Sequence, residues 1–230
     1  MAGEGGSVDA VYYRDGASNR LAMRVLVAAR RAMLDLFMRE MRPTRETRIL
    51  DIGVSDEENE GANFLEKGYP HPENITCAGI GTGEALGAAY PAVGFVRIVP
   101  GAPLPFPDGT FDVACSNAVL EHVGGPAARR AFVLEHLRVA RAVFLTVPNR
   151  WFPVEHHTGL PLLHWSPALF RRTLAGTRFD HWTRVDALDF LYGARLRAEW
   201  PSDVPVRIVA TGVPLGPLSS NLALIARGPG

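Results

Sequence analysis

The chain has 230 residues, of which 47% are hydrophobic and 21% are charged. This length and balance are typical of one soluble globular domain with a sizeable core. The 24 basic and 24 acidic residues cancel, so no general affinity for nucleic acid or an anionic membrane surface is expected. No apolar run reaches the ~20 residues that a bilayer span needs, and no signal peptide is visible.

The two cysteines, Cys77 and Cys115, both lie in apolar, strand-like runs. Buried and reduced thiols are the expected state, which fits a cytoplasmic location. The polar, glycine-rich start predicts a flexible tail over residues 1–17, followed by a single domain over residues 18–230. A monomer or a homodimer is expected.

Hydrophobic periodicity predicts strands that alternate with helices along the chain. A helix is predicted over 18–40, and shorter helices over 59–67, 83–89 and 126–139. Five short apolar strands are predicted over 49–52, 75–80, 94–99, 111–116 and 142–147. This alternation favours an α/β fold with a parallel sheet and helices on both faces.

The C-terminal part has a different pattern. Residues 206–210 and 221–226 are strand-like, and a Gly/Pro turn region separates them. They predict an antiparallel hairpin that closes one edge of the sheet, giving seven strands in total. A nicotinamide-binding domain would continue with another helix and strand instead.

Two motifs stand about fifty residues apart. The first, RILDIGVS (48–55), places Asp51, Gly53 and Ser55 at the end of the first strand, where ligands bind in open α/β sheets. An Asp-x-Gly sequence alone is also typical of a plain turn. The second, LPFPDGTFDVACSNAVLEHV (104–123), joins a rigid Pro/Gly turn to the fourth strand and to Asn117, Glu121 and His122.

Together these motifs resemble class I S-adenosylmethionine (SAM)-dependent methyltransferases, in particular the methyltransferase type 11-like family. The resemblance implies a Rossmann-like, doubly wound, mostly parallel sheet and S-adenosyl-L-methionine as cofactor. It implies that Asp51 and Gly53 contact the methionine part, and that Asn117 and Ala118 border that part and the transferred methyl group. Ser55, near the end of the first strand, and Gly81, after the second, are further predicted cofactor contacts.

The resemblance also implies that the 104–109 loop passes beside the adenine. Leu104 or Phe106 would then pack on the ring, although Phe106 is equally typical of a core residue. The family usually has an acid at the end of the second strand for the ribose, where this chain has Gly81, and another after the third strand, where it has Pro100. Each missing charged hydrogen bond is worth ~1.5–3 kcal/mol. Glu84 is a candidate replacement at the ribose.

A third motif, VPNRWFPVEHHTGLPLLHW (147–165), follows the fifth strand. Polar groups concentrated in a loop at the ligand end of a sheet predict either a substrate wall or a structural cover. Asn149, Trp151 and Glu121 are the predicted substrate contacts here, with Tyr12 and Tyr13 from a covering N-terminal segment. An oxygen nucleophile needs a base, and the candidates are His122, His156 and His157.

No metal is predicted. Ubiquinone-pathway O-methyltransferases resemble this chain around residues 120–123 and can hold a divalent cation there, but their pattern has an additional Glu where this chain has Ala118. Glu121 and His122, with Glu155, His156 or His157 folding over them, remain an alternative set of ligands. Their spacing is not that of a compact zinc motif.

The sequence therefore predicts a SAM-dependent methyltransferase for a small-molecule acceptor, with O-methylation in a secondary-metabolite, lipid or polysaccharide pathway. The missing acids motivate an alternative, a catalytically silent SAM-fold protein that binds a partner. A nicotinamide-dependent oxidoreductase is disfavoured because the next glycine after Gly53 is Gly61, so no GxGxxG follows the first strand. The tetrapeptide SNAV after the fourth strand disfavours methylation of nucleic-acid bases.

Overall fold

The computed structural model describes residues 20–56 and 59–227. Within them seven strands form one sheet: β1 (Ile49–Ile52), β2 (Ile75–Gly79), β3 (Gly94–Arg97), β4 (Phe111–Asn117), β5 (Ala140–Pro148), β6 (Val206–Leu215) and β7 (Leu218–Arg227). The strand order is β3-β2-β1-β4-β5-β7-β6. The first five strands are parallel, and β7 is antiparallel to both β5 and β6. The predicted seven-stranded sheet with a C-terminal hairpin is confirmed.

Helices cover the two faces of this sheet, and in the described part of the chain they are α1 (Arg20–Met41), α2 (Phe64–Gly68), α3 (Glu84–Ala89), α4 (Pro126–Val139), α5 (Pro167–Leu174) and α6 (Gly193–Glu199). All four residues of β1 are buried, as expected for a strand covered on both faces. One core joins α1 to the sheet, where Phe37 packs edge-on against Phe144 with ring centroids 5.3 Å apart. On the opposite face, Val133 of α4 and Leu145 of β5 belong to a second core.

The predicted strands differ from the observed ones by at most two residues at either end for β1 to β5, and α4 has the predicted bounds. The helix predicted over 59–67 is wrong in its first half, because α2 begins only at Phe64. Asn63 has a left-handed backbone with φ of 48°, which a right-handed helix cannot include. The helical periodicity in that segment therefore belongs to a turn followed by a short helix.

A helical insertion between β5 and β6 was not predicted. It contains α5, α6 and two 3-10 turns, Leu163–Trp165 and Asp180–Thr183, around a small core of its own that includes Phe170, Trp182 and Phe190. These elements are short, and short apolar segments carry little periodicity. Their packing brings residues 180–190 against the turn that follows β4.

The two cysteines are buried and free, which confirms the predicted reduced thiols. Burial raises the pKa of both thiols far above the usual range, so neither reacts readily in the folded protein. None of the helices among the described residues is long and apolar enough to cross a membrane.

A buried arginine joins the helical insertion to α4. Arg129 of α4, 1% exposed, donates to Asp189 at 2.8 Å and to Glu199 at 2.6 and 2.8 Å. Arg195 also pairs with both carboxylates. Removing one member of a buried ionic network is costly because the other charges stay buried without their partner.

We therefore expect Arg129→Met to lower the free energy of unfolding by about 3–5 kcal/mol, measured by urea denaturation. The control is Arg184→Met, since Arg184 pairs with Asp186 on the surface and its loss should leave the urea midpoint unchanged. Equal midpoints for the two variants would contradict the assigned role of Arg129.

Candidate active site

A cleft of about 1360 Å³ opens at the carboxyl ends of β1 and β4. This is the point where strand order reverses, since β1 lies between β2 and β4, and ligands of open α/β sheets bind there. Ten of the residues predicted for the site line this cleft: Asp51, Gly53, Ser55, Leu104, Asn117, Ala118, Glu121, His122, His156 and His157. The fold thus brings together segments separated by up to a hundred residues.

Gly53 lines the cleft directly after the end of β1. Its φ is +86°, and a Cβ atom added there would lie 2.3 Å from Cγ2 of Val119. Its N–H donates to the carbonyl of Ala78 at 2.7 Å, which ties the end of β1 to β2. Only glycine satisfies both the left-handed backbone and the close approach. Next to it, Ser55 is held by a reciprocal pair of hydrogen bonds with the side chain of Asn63.

Asp51 forms a buried carboxyl pair with Glu66. Burial and the proximity of Glu66 raise the pKa of Asp51 well above its usual range. Cys77 supports the pair by donating its S–H to Glu66 at 3.0 Å. Two buried carboxyl groups this close together share one proton. A nearby ammonium group would favour the form in which both are ionised. Sequence reasoning missed Glu66, because a glutamate in a short helix gives no local signal of the pairing.

Asn117 is the last residue of β4, and Ala118 follows it. Hydrogen bonds connect the Asn117 side chain to α1 and to β5. The Asn117 side-chain oxygen accepts from Arg30 and, at 2.7 Å, from Thr146. Arg30 also donates to the carbonyl of Gly61 at 3.1 Å. Ala118 has a φ of 55°, in the left-handed region that favours glycine, and such backbone strain is concentrated at functional sites. Arg30 was another residue that the sequence did not reveal.

Among the described residues, no carboxylate from the segments that follow β2 and β3 lines the cleft. At the end of β2, a Cβ atom on Gly81 would lie 2.9 Å from Asp56. The Asp56 carboxylate accepts hydrogen bonds from Thr82, Gly83 and Leu86 and so closes the turn into α3. Glu84 is exposed. After β3 the wall is apolar, with Ile98, Val99, Pro100 and Gly101 along the cleft.

The proline-rich loop before β4 is held by Arg138, which donates to the carbonyls of Leu104 and Phe106. Leu104 lines the cleft, and its N–H donates to Glu135 at 2.7 Å. Phe106 instead packs edge-on against Phe111, with ring centroids 5.0 Å apart, in the core beside β4. Of the two residues predicted to meet the adenine, Leu104 alone is at the cleft surface.

At the other end of the cleft two histidines face each other. Nε2 of His122 and Nε2 of His157 lie 3.2 Å apart, and the indole of Trp182 packs against both rings. Nδ1 of His122 lies 2.6 Å from the carbonyl oxygen of Ala187, and Nδ1 of His157 lies 2.8 Å from Glu155. Both rings are therefore fixed in orientation by hydrogen bonds through Nδ1.

Glu155 is the centre of the loop after β5. Its carboxylate accepts hydrogen bonds from the backbone and side chain of His157 and from the backbone and side chain of Thr158. Burial alone would raise the pKa of Glu155, but His157 and these hydrogen bonds lower it to about 2. The carboxylate is thus a permanent acceptor that shapes the loop and turns His157 toward the cleft.

The remaining groups of this cluster are neutral or easily neutralised. Burial raises the pKa of Glu121 to about 7. Burial, with the proximity of His157, lowers the pKa of His122 to about 3, and burial lowers the pKa of His156 to about 4. His122 and His156 are therefore uncharged imidazoles at neutral pH.

Six residues predicted for the site either do not line the cleft or lie outside the residues that the structure describes. Asn149 is buried and joins the loop to β7 by donating to the carbonyl of Ser219 at 3.0 Å. Trp151 is 42% exposed and packs beside Trp165 and Tyr192. Tyr12 and Tyr13 lie outside the described residues. Gly81 and Phe106, described above, are likewise not among the residues that line the cleft.

Comparison with known proteins agrees with this geometry. Residues 78–142 match the model of a protein family described as "Methyltransferase domain". No curated protein sequence matches the chain. This stretch of the chain contains the end of β2, all of β3 and β4, the proline-rich loop, and the Glu121–His122 turn.

Solved structures extend the likeness to nearly the whole chain. A SAM-dependent methyltransferase from Aquifex aeolicus aligns with a TM-score of 0.54 and 14% identity, covering 96% of this chain and 98% of its own. This chain has the class I SAM-dependent methyltransferase fold. A SAM-dependent methyltransferase from Thermotoga maritima aligns with a TM-score of 0.58 and 14% identity, over 96% and 99% of the two chains. A methyltransferase from Haloferax volcanii, in complex with the Trm112 methyltransferase activator, aligns with a TM-score of 0.61 and 12% identity, over 99% and 100%.

The resemblance predicted from the sequence is thereby confirmed, and SAM is the cofactor that it implies. At these identities the solved structures establish the fold, and they leave the acceptor to be argued from the site itself.

We expect Gly53→Ala to lower the free energy of unfolding by more than about 2 kcal/mol, since a left-handed alanine and an overpacked contact each cost about 1–3 kcal/mol. Gly109→Ala is the matched control, because Gly109 also has a positive φ of 62° but has open space where its Cβ would lie. Chemical denaturation of both variants measures the difference. Equal destabilisation would show that the contact with Val119 does not constrain this turn.

Proposed function

We propose that the protein transfers the methyl group of SAM to an oxygen atom of a small-molecule acceptor. The observation that carries this proposal is one continuous cleft, which joins the cofactor end of the sheet to the buried histidine cluster. The methyltransferase fold supports SAM as the donor. The cluster supplies polar groups for an acceptor at the place where the cleft extends beyond Asn117 and Ala118.

The cofactor half of the cleft suits the amino-acid part of SAM. Gly53 lets the ligand approach the backbone, and the Asp51–Glu66 pair offers negative charge to the ammonium group. Asn117 and Ala118 would border the sulfonium and its methyl group. Ser55 lies on the same wall. These roles follow from the position of each residue at the carboxyl ends of β1 and β4.

The nucleoside half would be bound differently from most of the family. With Asp56 engaged in its own turn and apolar residues after β3, the ribose and adenine would be held by backbone groups and by the apolar wall that includes Val99 and Leu104. Apolar burial contributes roughly 25 cal/mol per Å², so a buried adenine ring is stabilised without a charged partner. We therefore expect micromolar rather than tighter SAM binding.

The acceptor half would contain the histidines. Methyl transfer from a sulfonium is an in-line displacement: the acceptor oxygen forms a bond to the methyl carbon, the carbon–sulfur bond breaks, and neutral S-adenosylhomocysteine leaves. The acceptor hydroxyl also loses its proton, for which His122, His156 and His157 are the proposed acceptors. Alignment of the reacting atoms inside the cleft would supply much of the rate enhancement.

A catalytically silent SAM-fold protein is the second candidate. The engaged Asp56 and the apolar wall after β3 favour it, because both remove cofactor contacts that the family usually makes. Such a protein would use the fold to bind a partner, and it would fold normally without binding SAM. Calorimetry with SAM separates the two candidates.

Isothermal titration calorimetry of the whole chain with SAM and with S-adenosylhomocysteine tests the proposal. We expect micromolar binding, and Asp51→Asn should weaken it by about 10- to 100-fold, since a charged hydrogen bond contributes about 1.5–3 kcal/mol. Asp112→Asn is the control, because Asp112 pairs with Arg48 at the opposite end of β4 and should not alter binding. A folded wild-type protein that binds neither ligand at millimolar concentration would refute the enzyme proposal and favour the scaffold.

A further inference from the structure

The histidine cluster has a feature that methyl transfer by itself does not explain. A carbonyl oxygen can only accept a hydrogen bond, so Nδ1 of His122 must carry the proton that Ala187 accepts. The ionised Glu155 likewise fixes the proton of His157 on Nδ1. The two Nε2 atoms, 3.2 Å apart, are then the ring nitrogens left to face each other. A cation between them, either a shared proton or a metal ion, would be bound by both nitrogens.

Glu121 adds a buried carboxyl group at the same place. Its side chain is 1% exposed, and neither carboxylate oxygen has a hydrogen-bond partner among the described residues. One of these oxygens lies 3.9 Å from Nε2 of His122. A buried carboxyl group without a hydrogen-bond partner costs free energy, and a ligand bound between Glu121 and the two histidines would offset that cost.

We propose that Glu121, His122 and His157 bind a divalent transition-metal ion, with Zn²⁺ as the reference ion. One atom from each residue lies within 4.8 Å of the other two. Ligands about 2.0–2.1 Å from a tetrahedral ion lie about 3.3 Å apart, close to the observed separation of the Nε2 atoms. Two imidazoles and one carboxylate form a donor set that suits zinc and similar ions.

The surroundings match those of metal-binding histidines. Such histidines usually donate their other ring N–H to a carboxylate or a backbone carbonyl, which orients the ring and makes it a better ligand. His157 does so with Glu155, and His122 does so with Ala187. Trp182, which is fully buried, packs against both rings and limits the access of water from behind.

This inference rests on the proposed function for its role in the reaction. Three protein ligands leave a coordination position of the ion open, and all three ligands line the cleft. The open position would take the hydroxyl oxygen of the acceptor and lower its pKa. With His122 and His157 engaged as ligands, His156, which also lines the cleft, is the one of the three proposed bases left to take the hydroxyl proton. The oxygen would bond to the methyl carbon, and the carbon–sulfur bond would break. The acceptor class is thus a small molecule that presents a hydroxyl group.

The sequence alone predicted no metal here. The ligands come from two segments separated by 35 residues, and only the fold of the loop after β5 joins them. Ala118, where a related pattern carries another Glu, contributes no ligand. The third ligand is instead His157, which the Glu155 carboxylate turns toward the cleft.

The test is direct metal binding by the whole chain, after chelator treatment and buffer exchange. Titration calorimetry with Zn²⁺, elemental analysis, and visible absorption with Co²⁺ as a spectroscopic probe should show one ion per chain. We expect His122→Gln, His157→Gln and Glu121→Gln each to weaken Zn²⁺ binding by about 100-fold or more, and Glu155→Gln to weaken it by about 10- to 100-fold. His136→Gln, a buried histidine whose Nδ1 meets the carbonyl of Phe132, should bind Zn²⁺ as the wild type does.

Thermal unfolding and S-adenosylhomocysteine binding of each variant separate lost metal binding from lost folding. A folded wild type without stoichiometric Zn²⁺ binding would overturn the inference, and so would binding that His122→Gln and His157→Gln leave unchanged. Zn²⁺ binding at this site without SAM binding would uphold the metal site and refute the proposed function. SAM binding without Zn²⁺ binding would refute the metal site and leave the proposed function standing. A proton shared by the two imidazoles would then explain their close approach.

Discussion

The reversal of strand order between β1 and β4 is the constraint on which the rest of the structure depends. Because the chain leaves these neighbouring strands in opposite directions, their carboxyl ends are left uncovered and a cleft forms between them. Gly53, Asn117 and Ala118 stand at that opening. The helical insertion after β5 then supplies a wall for the cleft, since it packs against the turn that follows β4.

That wall is organised by a buried charge. The Glu155 carboxylate accepts five hydrogen-bond contacts from two consecutive residues, His157 and Thr158, and these contacts fix the shape of an otherwise irregular loop. The isolated pairing of Val154 with Pro161 closes the same loop. His157 is rigid for this reason, and it meets His122 from a separate segment of the chain. The carboxyl ends of the strands and the polar cluster around the two histidines are in this way joined in one cleft.

Much of this arrangement could be predicted from the sequence because its signals are local. The strand ending at Asp51 and Gly53, the proline-rich loop, and the C-terminal hairpin each follow from short patterns of apolar, turn and acidic residues. The same patterns explain why β1 to β5 were located within two residues. The family resemblance then implied SAM, and the comparisons support it.

The remaining parts depend on contacts between distant segments, which no local pattern encodes. Three contacts are of this kind: the carboxyl pair of Asp51 and Glu66, the hydrogen bond from Arg30 to Asn117, and the contact between the rings of His122 and His157. For Phe106 the sequence allowed two roles equally well, contact with the adenine or packing in the core. Its packing against Phe111 shows that it belongs to the core. The left-handed Asn63 likewise shortened a helix that periodicity alone had extended.

The central claim is that this cleft binds SAM by the carboxyl ends of β1 and β4. A crystal structure of the protein grown with S-adenosylhomocysteine tests it most directly. The account predicts the amino-acid part of the ligand against Gly53 and Asp51, its sulfur near Asn117 and Ala118, and its adenine on the apolar wall beside Leu104. A ligand ordered elsewhere on the protein, or a cleft that stays empty at saturating ligand, would contradict it.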